Sequence, residues 1–95
     1  MSAYVVVEVV ITDPEQYERY KSAAAPSVEA AGGRYLARGG EVDTFEGAAP
    51  ARAVVLEFPT LDAARAWYHG EAYTAARALR AAACDARMFA VDGVA

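Results

Sequence analysis

Residues 32–40 read GGRYLARGG, a short apolar segment that carries two arginines and has a glycine pair at each end. Glycine adopts backbone angles that other residues resist, so the first pair is predicted to end a helix and the second to turn the chain out of a strand. Arg34 and Arg38 have the same parity in that strand, so we expect their side chains to leave one face of the sheet together. The motif therefore predicts a helix, a strand and a loop, in that order.

The segment before this motif predicts a strand followed by a helix. In residues 3–11 both the odd-numbered and the even-numbered positions carry apolar side chains, and only Glu8 interrupts one of the two faces. This pattern is typical of a strand that is buried on both faces. Asp13 and Pro14 then supply an N-cap and a first helical residue, which predicts a helix start. Pro26 lies inside the helical pattern and is expected to kink or split this helix.

The segment after the motif predicts a loop, a strand, two helical pieces and a last strand. Residues 41–47 favour a loop or a ragged edge strand, and the alternation over 52–58 predicts a third strand. A helix follows that Gly70 interrupts before residues 72–83 resume a helical composition. A short final strand is expected over 86–91.

This element order, β-α-β-β-α-β, predicts an α+β ferredoxin-like fold, in which helices cover one face of a four-stranded antiparallel sheet. Because the first strand is apolar on both sides, the face without helices would be an exposed hydrophobic patch unless another chain covered it. We therefore expect a homodimer formed sheet to sheet. The 95 residues are predicted to form one domain, 1–95, since each half would fall near the ~40-residue lower limit for an independent domain.

Composition narrows the function classes. With 9 basic and 13 acidic side chains and a formal net charge of −4, the chain has no overall positive charge for nucleic acid. Its longest apolar run falls far short of the ~20 residues that span a bilayer. The single cysteine, Cys84, and the lack of a basic-then-apolar leader favour a cytoplasmic location. One cysteine and one histidine far apart do not make a metal site, and no glycine-rich phosphate loop follows a strand, so we expect neither metal nor cofactor.

Several short motifs together carry a family resemblance. Along the chain they are Asp13-Pro14 with Tyr17 and Tyr20, Gly32-Gly33, Arg38-Gly39-Gly40, Glu46-Gly47, Phe58-Pro59, Trp67-Tyr68, Tyr73 and Arg80. In this order and spacing the chain resembles the domain-of-unknown-function 1330 (DUF1330) family over nearly its whole length. The resemblance implies a dimeric α+β barrel, a superfamily that includes cofactor-free monooxygenases, lactone isomerases, stress-responsive domains and haem enzymes. Fold alone selects none of these activities. The chain departs from the family over residues 69–73, where members commonly carry a small residue and proline ahead of the tyrosine.

Two arginines are the first candidates for ligand binding. Arg38 and Arg52 lie on strands that flank the irregular loop, so they can converge near one end of the sheet. Two guanidinium groups suit a carboxylate ligand, since each offers a planar fork of donors. The structural alternative is that they pair with Glu46, Glu57 or Glu8 and simply neutralise a buried charge.

Aromatic side chains on the predicted helices are the second group of candidates. Tyr17, Tyr20, Trp67, Tyr68 and Tyr73 combine apolar area with a polar group, which suits the lining of a ligand cavity, although ordinary core packing is the structural alternative. We expect Tyr20, Trp67 and Tyr73 to form the walls of a pocket between sheet and helices, where a small anionic or aromatic organic molecule would bind.

Three groups are candidates for proton transfer. His69 is the only histidine, and histidine exchanges protons near neutral pH, but its place beside a helix break equally fits a solvated surface residue. Glu8 and Glu57 are expected on adjacent central strands, where two close carboxyls would act as acid and base unless each is bonded to an arginine or lies at the dimer rim. If His69 or Glu57 moved a proton in the pocket, the protein would be a cofactor-independent isomerase, lyase or monooxygenase. A third alternative is a purely structural or partner-binding dimer.

Overall fold

A computed structural model of the protein describes residues 1–94, so Ala95, the last residue of the predicted domain, lies outside the described residues. The strands and helices are, in chain order, β1 (Ala3–Ile11), α1 (Pro14–Ala30), β2 (Arg34–Arg38), β3 (Arg52–Phe58), α2 (Leu61–His69), α3 (Glu71–Arg80) and β4 (Cys84–Asp92). This is the predicted α+β ferredoxin-like order, with Gly70 between α2 and α3.

The four strands form one antiparallel sheet in the order β2-β3-β1-β4. Side chains of residues paired across an antiparallel ladder lie on the same face, so the register assigns each side chain to one of the two faces of the sheet. One face carries Val5 and Leu56, which are buried under the helices with the rest of the core. The other face carries Val10, Phe89 and Val91, which are 51, 40 and 49% exposed. The molecule is only 16 Å through its thinnest direction, because it has one sheet and one helix layer.

Helix α1 begins and ends where the local chemistry predicts. The Asp13 carboxylate accepts a hydrogen bond from the backbone N–H of Gln16 at 3.2 Å, which satisfies one of the free donors of the first turn. At the other end, Gly32 adopts φ +81°, and the backbone N–H groups of Gly32 and Gly33 donate to carbonyls of the last turn at 3.0 and 2.9 Å. The first glycine pair therefore ends the helix, as predicted.

Helix α1 is not divided at Pro26, so the expected split is absent. Proline cannot donate to the carbonyl four residues earlier, which belongs to Ser22, but Ser22 and Pro26 are both exposed and water can satisfy that oxygen. Ala24 and Val28 on either side of the proline are buried in the core. Tertiary packing of this apolar face offsets the loss of a single backbone hydrogen bond.

A β-bulge in β2 places its two arginines on opposite faces of the sheet. Before the bulge, Arg34 pairs with Glu57 on the face without helices. After the register shifts at Leu36, Arg38 pairs with Val54 on the face that the helices cover. The expectation that both arginines share a face was wrong. Side chains alternate between the two faces along a strand, so one extra residue moves every later side chain to the opposite face.

The last strand and the long loop differ from their predicted bounds. Helix α3 ends at Arg80 and β4 already begins at Cys84, because β4 pairs with β1 along its whole length, from Ile11 opposite Cys84 onward. Alanines favour a helix locally, but this backbone pairing decides the bounds. Residues 39–51 contain no strand, so the segment after β2 forms a loop and not a ragged edge strand.

Candidate functional site

A small cavity lies between the sheet and the helices, near the ends of β2 and β3 that flank the loop. We term it the arginine cavity; its lining consists of Val7, Tyr17, Tyr20, Lys21, Tyr35, Arg38, Arg52, Val54, Leu56, Trp67 and Met88. Its volume of about 30 Å³ is enough for one or two water molecules. Of the residues predicted to bind a ligand, the structure brings Arg38, Arg52, Tyr20 and Trp67 to this cavity, and it places Tyr73 directly behind Tyr20.

Arg52 contributes a half-buried guanidinium to the cavity. It projects from β3 on the helix-covered face, and its Cζ atom lies 5.6 Å from the centre of the Tyr17 ring. Burial raises the pKa of the Tyr17 phenol, and the positive charge of Arg52 opposes that shift. The buried Nε atom of Arg52 has no hydrogen-bond partner within residues 1–94. A buried donor without a partner is costly, so a ligand acceptor placed here would bind favourably.

Arg38 and Lys21 place two further cations at the mouth of the cavity. Arg38 is exposed, and its guanidinium stacks over the Tyr35 ring with Cζ 4.6 Å from the ring centre. Lys21 donates to the Glu18 carboxylate at 2.9 Å. The pKa of Glu18 is lowered chiefly by this bond with Lys21 and further by the charges of Arg52 and Arg38. The cavity is thus positively charged in a protein whose net charge is −4.

The acidic residues that were alternative partners for the cavity arginines do not pair with them. Arg34 Nε donates to Glu57 Oε1 at 2.6 Å, and Arg87 Nη1 donates to Glu8 Oε2 at 2.7 Å. Both ion pairs lie on the sheet face without helices. In the part of the chain that the structure describes, Glu46 makes no salt bridge and neither cavity arginine takes part in one. The ion pairs with Glu46, Glu57 or Glu8 that the structural alternative requires are therefore absent among residues 1–94.

The aromatic wall of the cavity is held by two hydrogen bonds. The hydroxyls of Tyr20 and Tyr73 are 2.9 Å apart, and burial, reinforced by Tyr73, raises the pKa of the Tyr20 phenol. Tyr73 is fully buried and its ring centre lies 4.1 Å from that of Trp67. The Trp67 indole N–H donates to Ser27 Oγ at 3.1 Å. These contacts give the cavity a rigid wall whose aromatic faces lie near the guanidinium groups.

The two carboxylates considered as an acid and base pair are too far apart for that role. Glu8 lies opposite Ala53, whereas Glu57 lies opposite Tyr4. Four residues of strand separate the two positions, which is about 13 Å at ~3.3 Å per residue. The hydrogen bond from Arg34 is the main cause of a lowered pKa for Glu57. Each carboxylate is bonded to an arginine, which is the alternative to an acid and base pair.

His69 lies outside the arginine cavity. It is exposed at the C-terminal end of α2, where its ring packs edge-on against Tyr68 with centres 5.1 Å apart. Glu57 is also remote from the cavity, since it projects from the opposite face of the sheet. The structure therefore does not bring either candidate for proton transfer to the two arginines.

A second and larger space adjoins the first. We term it the apolar cavity; it has a volume of about 200 Å³ and is lined by Val5, Ala64, Arg65, Trp67, Tyr68, His69, Met88, Phe89 and Ala90. Trp67 and Met88 line both cavities, so their side chains form the partition between them.

Comparison with known proteins establishes the family. The model of the family described as a domain of unknown function, DUF1330, matches residues 2–94. The chain belongs to the DUF1330 family. Among residues 1–94 of this DUF1330 chain, no group of three or more histidine, cysteine or acidic side chains could hold a metal ion, and no helix is long and apolar enough to cross a membrane. No match was found among curated proteins.

Solved structures share the fold of this DUF1330 chain. A protein of unknown function from Rhodopseudomonas palustris is 19% identical, with a TM-score of 0.76 over 99% of this chain and 83% of that one. A dimeric ferredoxin-like protein of unknown function from Thermobifida fusca is 22% identical, with a TM-score of 0.68 over 98% and 92%. SnoaB, a cofactor-independent oxygenase from Streptomyces nogalater, is 10% identical, with a TM-score of 0.67 over 99% and 94%. At these identities the likeness shows the fold alone.

Several residues of the arginine cavity and its wall were not predicted from the sequence, among them Tyr35, Lys21, Ser27 and Met88. Lys21 and Ser27 lie on α1. The sequence predicted a helix at both positions, but no motif around them indicated a binding site. Met88 lies on β4 and carries no polar group. The helical spacing from Tyr17 and Tyr20 places Ser27 and Lys21 on or beside one face, which is the single sequence signal that could have found them.

Proposed function

We propose that this protein is a homodimer that binds a small organic anion with an aromatic or apolar body in the arginine cavity. Arg38 and Arg52 anchor the anionic group, and Tyr20 and Trp67, with Tyr73 packed behind them, form the wall against which the body packs. A cytoplasmic location is part of this proposal, and it rests on the single cysteine, which has no second cysteine to pair with.

The observation that carries the proposal is the pair of arginines without acidic partners in one cavity. A structural arginine is normally paired when its charge is removed from water, yet Arg52 is half-buried beside an aromatic ring with a free Nε donor. A carboxylate would supply the missing acceptor, and each charged hydrogen bond of this kind contributes about 1.5–3 kcal/mol. The positive charge around the cavity further favours an anion over a neutral ligand.

Binding requires the mouth of the cavity to open. The present volume of about 30 Å³ holds water and no larger molecule. The side chains at the mouth, Arg38 and Lys21, are long and flexible, and Arg38 is exposed. Rotation of these side chains enlarges the cavity without disturbing the sheet, and both cations can then fold over the ligand.

The uncovered sheet face supports the homodimer. Val10, Phe89 and Val91 project from it and remain 40–51% exposed, which leaves an apolar surface that a second copy of the chain would cover. The ferredoxin-like protein from Thermobifida fusca is described as dimeric, and it has the same fold. At the arginine cavity the geometry does not favour the enzymatic alternative, since His69 and Glu57 lie outside its lining.

A thermal-shift screen of small carboxylates, phenols, quinols and lactones tests the proposal. A ligand present at a hundredfold excess over Kd adds about 2.7 kcal/mol of stability, which raises the midpoint of a domain of this size by roughly 10–20 °C. The shift should disappear in Arg52→Ala and shrink in Arg38→Ala. Arg19→Ala is the matched control, because Arg19 is exposed on α1, outside the cavity, and its removal changes the net charge equally. A panel without any shift would favour the purely structural dimer.

A further inference from the structure

We infer that the ligand is an elongated amphipathic acid whose anionic group binds in the arginine cavity while its apolar body passes Met88 into the apolar cavity. This inference rests on the proposed function and extends it, because it specifies the shape and chemical class of the ligand. It follows from the unequal size and chemistry of two spaces that share a wall.

The two cavities have complementary properties. The arginine cavity is charged, and with its mouth closed its volume of about 30 Å³ leaves no room for the body of a long ligand. The apolar cavity has about 200 Å³ of room. Its polar groups are already engaged or lie at its rim: Arg77 donates to the Tyr68 hydroxyl at 2.5 Å, Arg65 pairs with Asp62 at 2.9 Å, and His69 is exposed. A ligand that uses both spaces therefore has a charged end and an uncharged body.

Of the two partition residues, Met88 is the less constrained. Trp67 is fixed by its hydrogen bond to Ser27 and by ring contacts with Tyr73 at 4.1 Å and Phe58 at 5.2 Å. Met88 is partly buried on the edge strand β4, and its unbranched side chain adapts its shape easily. A rotation of the Met88 side chain joins the cavities into one space along the inner face of the sheet.

The test compares three probes that differ in length and charge. Benzoate carries one ring and a carboxylate, biphenyl-4-carboxylate adds a second ring in line, and biphenyl-4-carboxamide keeps the length without the charge. Trp67 is the single tryptophan of the chain and lines both cavities, so its fluorescence reports binding in either one. Titrations use the full chain and its variants.

Two substitutions change the partition in opposite directions. If the open rotamer of Met88 is populated about one-tenth of the time, Met88→Ala binds biphenyl-4-carboxylate about tenfold more tightly. Because Met88 also lines the arginine cavity, the readout is the ratio of the two affinities, and the same variant should change benzoate binding much less than binding of the biphenyl acid. Met88→Phe fills the passage and should weaken binding of the biphenyl acid more than binding of benzoate. Leu79→Ala is the control, because Leu79 is a partly exposed apolar residue that lines neither cavity.

The outcomes separate this inference from the function on which it rests. Biphenyl-4-carboxylate should lose affinity in Arg52→Ala until it binds no better than the carboxamide. If both Met88 variants change the two acids alike, or change neither, the apolar cavity is not part of the site, even where benzoate still depends on Arg52. If neither acid depends on Arg52, the proposed function fails as well. Should Met88→Ala not fold, Met88→Phe alone decides between these results.

Discussion

Replacement of Gly39 by alanine should displace Arg52 and weaken anion binding, although residue 39 itself lies outside the lining of the arginine cavity. Gly39 adopts φ +71° and its backbone N–H donates to the Ala53 carbonyl at 2.9 Å, which holds the start of the loop against β3. A Cβ atom at this position would lie 2.6 Å from Arg52 Cζ and closer still to Nη1. The guanidinium thus occupies the space that any other side chain at position 39 would need.

The stability cost and the binding cost of Gly39→Ala have separate sources. An alanine in the left-handed region costs about 1–2 kcal/mol, partly offset by ~0.4–1 kcal/mol from a stiffer unfolded chain, so we expect a net loss of about 1 kcal/mol. For a domain of this size the midpoint falls by roughly 4–8 °C. Displacement of Arg52 removes a charged hydrogen bond of about 1.5–3 kcal/mol to the ligand, so the Kd for benzoate should rise roughly 10- to 150-fold.

Two other glycines provide matched controls. Gly47 adopts φ +80° but nothing lies within 4 Å of a Cβ built there, so Gly47→Ala carries the backbone cost alone. Gly40 has neither a positive φ nor a neighbour within that distance, so Gly40→Ala should change neither property. Thermal unfolding and benzoate titrations of the three variants separate the two effects. If Gly39→Ala binds benzoate as well as Gly47→Ala does, the argument that Gly39 positions Arg52 is refuted.

Three further predictions concern the dimer, the aromatic wall and alkaline stability. Val91→Asp on the uncovered sheet face should convert the proposed dimer to a monomer in light scattering, whereas Leu79→Asp on α3 should not. If both variants are monomeric, or both are dimeric, the proposed interface is contradicted. Ser27→Ala leaves the buried indole N–H of Trp67 without its acceptor, so it should cost about 1–3 kcal/mol in urea unfolding, and an unchanged stability would argue against that bond. Because the pKa of Tyr20 is raised above 10.0 in the fold, the unfolded chain releases this proton first and stability should fall as pH rises above about 10. Tyr20→Phe should make that decline shallower in unfolding curves measured between pH 9 and 11, and an identical slope would show that Tyr20 does not contribute.

Most of the fold could be predicted because its elements begin and end through local chemistry. Asp13 and the glycine pair at 32–33 act on backbone groups within a few residues, so their effect is visible in the sequence. The convergence of Arg38 and Arg52 was also predictable, since two paired strands that flank one loop have neighbouring ends. Of the two effects expected of Pro26, the split does not occur, because the buried face of α1 holds the helix together across the proline.

The sequence by itself determined the element order, the family, the apolar second face of β1 and the arginines beside the loop. Tertiary structure alone decided that Arg34 and Arg38 lie on opposite faces of the sheet. The bulge at Leu36 turns Arg38 inward and leaves Arg34 to bind Glu57 on the other side of the sheet. The bulge depends on the register of two strands that are far apart in the chain, and the partition at Met88 depends on packing between β4 and the helices. Local propensity acts over a few residues, whereas register and packing join residues distant in sequence, so only the folded chain shows where these side chains meet.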